Sequence, residues 1–397
     1  MTSKEKILLL LLASINFTHI MDFMIIMPLG GYLIPLFKIS PQQFSFIVSS
    51  YTFAAGIVGF SAAFFVDRFD RKKILLTGYT GFVLGTFACA FAPSYELLIA
   101  ARILAGGFGG LISAQVLSIV ADTFSFERRG RAMGILMMAF SFASAIGVPT
   151  GLTLAQSYGW HMPFIVIGSL GLIVIVLVFF FVPNMVAHIQ VSAEKPKPFD
   201  VIRNIMASSN QKRALLLMIV LMLAHFSIIP FIAPFMEFNI GFTKDQVTMI
   251  YFSGGIASMI SGPLVGMLSD KYGKLKVFTL FSMLAIFPIY MITNMPKIEY
   301  AYVIAVTVAF FILAGGRIIP AQAIITSVVL PQQRGGFMSI NSSLQQISTG
   351  VSALLAGFIV AKEETTGNLL NYHYVGYIGI ALTFLCLYLA SKVKSVS

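Results

Sequence analysis

The chain has 397 residues, of which 58% are hydrophobic and only 10% charged. A soluble domain carries about 25% charged residues, so this composition excludes one that covers itself with polar surface, and lipid is the natural solvent for most side chains. The formal net charge of +11 is spread through short loops and not gathered on one docking face, which excludes a nucleic-acid partner.

Lys4 and Lys6 precede an apolar run that continues past Asp22 to Phe37 without a small-residue cleavage site. It reads as a retained first membrane helix over about 7–37, not as a secretory signal. Segments close to the roughly 20 residues that cross a bilayer follow at about 42–66, 74–92, 95–122, 131–156 and 162–183. A polar stretch over about 184–212 then interrupts the series. Within it Phe199, Ile202, Ile205 and Met206 recur at helical spacing, which predicts a short amphipathic helix on the membrane surface after Pro198, with a plain flexible linker as the alternative. Six further apolar segments lie at about 213–238, 246–268, 275–294, 299–330, 335–361 and 373–391. The fold class is therefore all-α, with twelve transmembrane helices in two six-helix bundles, 1–183 and 213–397, joined by the linker 184–212. Lys38, Lys244, Lys297 and Lys362 are the basic residues of one set of loops, and the other set holds all the rest save Arg102 and Arg317 inside the spans, including Arg71, Lys72, Arg128, Lys274 and Arg334. That asymmetry predicts that both termini are cytoplasmic. Cys89 and Cys386 lie inside apolar runs and read as small buried hydrophobes.

The halves resemble each other. Val66-Asp67-Arg68-Phe69-Asp70-Arg71-Lys72 recurs as Ser269-Asp270-Lys271-Tyr272-Gly273-Lys274, and Arg129-Gly130-Arg131-Ala132-Met133-Gly134-Ile135 recurs as Arg334-Gly335-Gly336-Phe337-Met338-Ser339-Ile340. Two matches in the same order and at nearly one offset indicate a duplication, the arrangement an alternating-access machine uses when it rocks about a site between its halves.

Gly266-Met267-Leu268-Ser269-Asp270-Lys271-Tyr272-Gly273-Lys274 resembles the signature loop of the major facilitator superfamily. The first-half copy departs from it, with Ala63 and Asp70 where the family usually has glycine. Arg102-x-x-x-Gly106 resembles the family's arginine-glycine motif, and Gly147-Val148-Pro149-Thr150-Gly151 resembles the antiporter motif of its proton-coupled exporters, the bacterial drug and arabinose-efflux type. The resemblance implies that Asp67 and Asp270 each face the positive N-terminus of a helix of the other half. It also implies that the arginine side of the motif, Arg71, pairs with Asp122 or Glu127. Together with Lys274 and the helix-interrupting Pro149, these residues form the expected gating set. The alternative is that the loop charges only enforce topology.

Asp22, Arg102 and Arg317 lie well inside predicted spans, where an unpaired charge costs several kcal/mol, on the order of 3 or more. Asp22 is about 15 residues from one end of its helix and Arg102 about 7 from the other, so both come to a similar depth and could meet as an ion pair. Burial disfavours a charged carboxylate and a neighbouring cation restores it, so Asp22 is the candidate proton carrier, with a purely structural pair as the alternative. His19 shares its helix face. His225 corresponds to Asp22 at the repeat offset and is a second titratable candidate, weighed against a packing histidine. Arg317 has no acidic neighbour in an adjacent span, which points to an anionic or strongly hydrogen-bonding substrate unless helix carbonyls, Gln322 or Asp270 satisfy it. Asn341, Gln345 and Ser348 form a polar stripe on helix eleven, and Tyr51 and Gln115 are the corresponding first-half candidates for the substrate site.

The sequence carries no histidine cluster with metal spacing and no nucleotide-binding glycine loop, so no enzyme, metal or cofactor is expected and an ion gradient is the remaining energy source. The reading is a monomeric secondary transporter of the bacterial inner membrane, with the lipid bilayer, protons and a small-molecule substrate as its partners, that expels a drug, sugar or metabolite. The alternatives are an importer or facilitator of a small anionic metabolite and a non-transporting receptor on a transporter scaffold.

Overall fold

The computed structural model describes residues 2–62, 64, 66–124, 126–186, 198–330 and 334–396, and the side chains at 67, 121, 126, 127, 129–131, 137, 198–200, 334 and 335 lie outside that description. Eleven helical spans are long and apolar enough to cross a membrane: Ser3–Ile25, Pro41–Ala62, Arg71–Ala90, Tyr95–Val120, Ala132–Tyr158, Met162–Phe181, Ser209–Ile240, Lys244–Tyr272, Lys274–Thr293, Tyr300–Thr326 and Tyr372–Lys392. The remaining pass, Arg334–Ile359, has 26 residues. The polar stripe of Asn341, Gln345 and Ser348 dilutes its hydropathy. These are the twelve spans, numbered below in chain order.

Several spans are broken, and prolines explain where. The first, expected over about 7–37 with an interruption at Pro28, ends at Ile25 and resumes as Gly30–Leu36. Pro28 lies between the pieces and has no N–H to continue the ladder. Span five contains a π-turn, Ala143–Gly147, just before Pro149. Span seven breaks between Phe226 and Ile229 ahead of Pro230, and span ten breaks at Arg317 ahead of Pro320. The linker helix forms over Pro198–Ala207. Its inward side is Val201 and Ile205 rather than a line through Met206, which is 61% exposed. The helix leans on span eleven, where a Cβ at Gly336 would come within 2.9 Å of Val201.

The hydrophobic cores show how the halves meet. Both termini lie at one end of the bundle, hereafter the termini end. At the opposite end a single core mixes the halves, joining Ile26, Phe44 and Val148 to Ile232, Ile250 and Tyr372. Toward the termini end it divides in two. Leu12, Phe82 and Val120 belong to a core of the first half alone, and Met218, Phe278 and Ile325 to one of the second. The apolar cores of the halves are thus shared at one end and distinct at the other. Spans two and eleven pack along one seam and spans five and eight along the other. A Cβ at Gly255 of span eight would come within 2.5 Å of the span-five backbone at Ser144 and Ala145, at the π-turn.

Candidate coupling site and transport pathway

Span one is the hub of the first half, packed by spans three, four, five and six. Asp22 projects from it into the bundle and is fully enclosed. Arg102 Nη1 on span four donates to Asp22 Oδ2 at 2.8 Å and to the Asp22 carbonyl at 3.3 Å. Thr86 Oγ1 on span three lies 3.2 Å from Asp22 Oδ1 and also donates to the Phe82 carbonyl at 3.0 Å. A charged pair without water requires close geometry of this kind to offset desolvation. The Arg102 guanidinium carbon sits 4.2 Å from the centroid of the Tyr51 ring. Tyr51 in turn stacks on Phe23 at 5.9 Å, and Phe23 meets Phe226 of the second half at 6.0 Å. A continuous row therefore runs from Asp22 through Arg102, Tyr51 and Phe23 to the other half. Close approach of spans two and four makes it possible, since a Cβ at Gly106 would overlap the Tyr51 backbone.

His19 is buried beside this row, its ring 6.1 Å from Tyr51 and 5.7 Å from Phe82. Its Nε2, the Tyr51 hydroxyl and both amide atoms of Gln115 have no hydrogen-bond partner among the described residues. A Cβ at Gly109 would come within 2.7 Å of His19 Nε2 and 2.9 Å of the Tyr51 hydroxyl, so those two polar atoms converge on one spot.

The second half is built differently. Arg317, at the break in span ten, is fully enclosed and its Nη1 donates to Thr383 Oγ1 of span twelve at 2.8 Å. Neither Gln322 nor Asp270 bonds to it. His225 is buried and stacks on Phe310 at 5.9 Å with nearly parallel rings. Asn341 is fully enclosed with both amide atoms unpartnered, Gln345 is half-buried, and Ser352 further along the same stripe donates to the Leu223 carbonyl of span seven at 2.9 Å. The structure gathers Asp22, Arg102, His19 and Tyr51 in one cluster of the first half and places Arg317 and His225 within the second.

Between the halves, the exposure pattern of spans one and seven defines a cavity. From Leu8 to Ile25, the residues of span one that are not buried, Leu10, Ala13, Ser14, Asn16, Phe17, Ile20, Phe23 and Met24, fall on one side. From Ala214 to Pro230 of span seven they are Leu216, Ile219, Leu223, Phe226 and Ile229, spaced as one helix face. Neighbours of the same half cover the other sides of both helices. These two faces therefore look at each other. Along these faces exposure falls from 66% at Leu10 and 45% at Leu216 to half-buried at Phe23, Phe226 and Ile229. The cavity widens toward the termini end and narrows where Phe23 meets Phe226.

Of the gating residues, Arg71 Nε pairs with Asp122 Oδ2 at 3.0 Å. Asp270 and Lys274 are exposed, with no ion pair to a described residue. The side chain of Asp67 lies outside the described residues, as do those of Arg131 and Arg334 near its expected helix partners. Pro149 lies two residues past the π-turn where span five meets spans one and eight. Asp70, which departs from the family glycine, caps span three. Its Oδ1 accepts from the N–H groups of Lys72 and Met185, each at 2.9 Å, and an aspartate before a helix was a readable cap signal.

At the opposite end the structure shows contacts that sequence reasoning did not single out. Glu237 of span seven pairs with Lys244 of span eight. The Lys244 ammonium sits 3.9 Å from the ring centroid of Tyr32 in the first half, and a Cβ at Gly31 would overlap the Glu237 carboxylate. A two-stranded hairpin, Ala361–Lys362 with Leu369–Leu370, closes the same end. Asn239 holds it by a reciprocal pair of hydrogen bonds to Leu369, each 2.9 Å. The seven-residue spacing of Glu237 and Lys244 was the only sequence trace of this closure.

Twelve membrane-spanning helices in duplicated halves, with a cavity between them, define a membrane transporter. The chain matches the Major Facilitator Superfamily over residues 12–315 and 214–395 and belongs to that family. It is 23% identical over 366 residues to YceJ, an uncharacterized MFS-type transporter of Bacillus subtilis (strain 168), covering 92% of each chain. It is 25% identical over 395 residues to Multidrug resistance protein 2 of the same organism, covering 96% of this chain and 95% of that one. Among solved structures it is similar to a D-xylose-proton symporter, with a TM-score of 0.79 and 16% identity over 99% of this chain and 100% of that one. It is also similar to a bacterial homolog of the human lysosomal transporter Spinster in an inward-facing, unoccupied conformation, with a TM-score of 0.76 and 16% identity over 100% of both chains. At these identities the likeness to the solved structures is one of fold. The protein is a multi-pass membrane transporter.

Proposed function

We propose that the protein is a proton-coupled exporter of a small molecule, working by alternating access as a monomer in a bacterial inner membrane. The observation that carries this reading is the enclosed Asp22–Arg102 pair, 2.8 Å apart, tied through Tyr51 and Phe23 to the aromatic contact between the halves. A proton taken up by Asp22 removes its attraction for Arg102. The guanidinium then keeps only Tyr51 and backbone partners, and span one is released from span four. Because Phe23 follows Asp22 directly, any rotation of span one displaces its half of the contact with Phe226. His19 beside the pair is the relay candidate.

The basic-loop asymmetry supports cytoplasmic termini, so the cavity in this conformation takes cargo from the cytoplasm. The Gly147–Gly151 motif and the relation to a multidrug resistance protein support export. In everted membrane vesicles carrying a pH gradient, addition of cargo should dissipate the gradient of wild type, read by acridine orange fluorescence. Asp22→Asn should give no such response while still exchanging labelled cargo. A gradient response in Asp22→Asn equal to that of wild type would falsify the coupling role.

A further inference from the structure

The second half carries a groove on its outer flank, away from the cavity between the halves. It lies between spans nine and ten at the end opposite the termini and has a volume of about 830 Å³, within the roughly 300–1,000 Å³ of pockets that hold small molecules. Phe287 and Met291 of span nine, Ile298 of the connecting loop, and Tyr302 and Val306 of span ten give it an apolar lining. Span nine packs on spans eight, ten and twelve of its own half, and turns Ala285, Ile289 and Ile292 to the core. Phe287 and Tyr302 face the other way and are 62% and 63% exposed. On a membrane-spanning chain such a face is covered by acyl chains. Lys297 and Glu299 stand at the mouth of the groove, both exposed and neither in an ion pair with a described residue.

An aromatic pair fixes the height of these charges independently of the groove. Tyr290 of span nine and Tyr377 of span twelve are exposed and stack at 6.3 Å, and Tyr377 Oη donates to Asn294 Oδ1 at 2.9 Å. Exposed tyrosines at a helix end mark the headgroup level of a bilayer. Asn294 begins the loop that carries Lys297 and Glu299. Phe287 lies seven residues before Asn294 and Val306 seven after Glu299, roughly 10 Å deeper at 1.5 Å per residue. The two charges therefore sit among headgroups and the apolar lining beside the upper part of the chains.

We propose that this groove is a specific site for one phospholipid with an ethanolamine headgroup, drawn from the leaflet at the end opposite the termini. An acyl chain lies along Phe287, Met291, Tyr302 and Val306, where it gains by apolar contact. The Lys297 ammonium meets the lipid phosphate, and the Glu299 carboxylate accepts from the lipid's primary ammonium, two charge-assisted contacts of opposite sign. A choline headgroup has no N–H to give Glu299. A glycerol headgroup has no cation at all and leaves its phosphate charge beside the carboxylate. Opposite charges two residues apart thus select a headgroup that is itself a zwitterion with a donor. The site lies outside the cavity, so it depends on neither the cargo nor the coupling ion.

The full chain in detergent micelles is titrated with phosphatidylethanolamine, phosphatidylcholine and phosphatidylglycerol, each with one palmitoyl and one oleoyl chain, and bound lipids are counted by native mass spectrometry. Wild type should bind its first phosphatidylethanolamine about tenfold more tightly than either of the others, the worth of one charge-assisted hydrogen bond. Glu299→Gln should lower phosphatidylethanolamine to the level of phosphatidylcholine. Lys297→Met should weaken all three lipids. Met291→Trp, which fills the groove and keeps both charges, should also weaken all three. The two loop substitutions are at exposed positions, so they serve if Met291→Trp does not fold. Lipid held elsewhere on the belt binds wild type and variants alike and cancels in the comparison. Equal affinity of wild type for the three lipids would overturn the proposal, as would unchanged phosphatidylethanolamine binding in Glu299→Gln or Lys297→Met. Transport is not measured, so the result leaves the coupling role of Asp22 to its own assay.

Discussion

Replacing Arg102 by Met tests whether the buried pair holds two charges. Both side chains are fully enclosed, so Arg102→Met strands a carboxylate in hydrocarbon with Thr86, 3.2 Å away, as its one remaining side-chain donor. Breaking a buried pair from one side costs about 3–5 kcal/mol. Removing both members leaves no such charge. Asp22→Leu/Arg102→Met should therefore recover most of the loss, since replacing a buried pair by packed apolar groups is often neutral or stabilising, by roughly 1–4 kcal/mol. Thr86 is not orphaned in the double variant, because its hydroxyl already donates to the Phe82 carbonyl.

The assay is equilibrium unfolding in mixed micelles for wild type, both single variants and the double variant. The cycle should give a coupling of several kcal/mol, on the order of 3, and the double variant should unfold close to wild type. It should also be folded and unable to use a pH gradient, which separates a structural pair from a coupling one. Additive losses around the cycle, or an Arg102→Met protein as stable as wild type, would refute the charged pair. Gradient-driven transport by the double variant would refute its role in coupling.

Glu237→Gln should loosen the closed end, because Lys244 loses its carboxylate and keeps the Tyr32 ring. With a reporter cysteine at Leu33, buried in this conformation, labelling by a membrane-impermeant maleimide should rise several-fold, and the buried native Cys89 and Cys386 should contribute little background. An unchanged rate would mean that the pair does not hold this end shut. Asn239→Ala removes both hydrogen bonds to Leu369, a loss of about 1–3 kcal/mol at roughly 1 each. It should appear as faster amide exchange confined to 361–370, and exchange as slow as in wild type would show that the hairpin is held by other contacts.

Depth counting along two helices was enough to bring Asp22 and Arg102 to one level, because a regular helix converts residue number into distance. The same arithmetic could not find Thr86 or Thr383, since a threonine in an apolar span gives no sign of which face it occupies. Nor did it separate the two orientations of the polar residues. Gln115, Asn341 and Arg317 stand in spans four, eleven and ten, and rotation about the helix axis, set by packing, encloses all three. Proline positions marked the broken spans, Pro28 in the first included, because a missing N–H interrupts a ladder that hydropathy leaves continuous. The closure by Tyr32, Glu237 and Lys244 was unreadable: it joins residues from both halves, and nothing local in either encodes the other.

The halves are duplicates in fold and not in charge, and this restricts where coupling can occur. At the offset of 205 residues that relates Arg129 to Arg334, Arg102 falls on Thr307, whose buried hydroxyl donates to the Val303 carbonyl at 2.8 Å. Asp22 falls near His225, which stacks on Phe310. The second half keeps a buried cation, Arg317, but no carboxylate is bonded to it, and its described partner is neutral Thr383. Among the described residues, protonation of a carboxylate can therefore remake an enclosed ion pair at mid-depth only in the first half. The second half must follow through contacts that cross between halves, and at the floor of the cavity that contact is Phe23 on Phe226. An aromatic contact has no charge to lose and can slide. It suits a joint that must transmit a helix rotation in one state and part in the next.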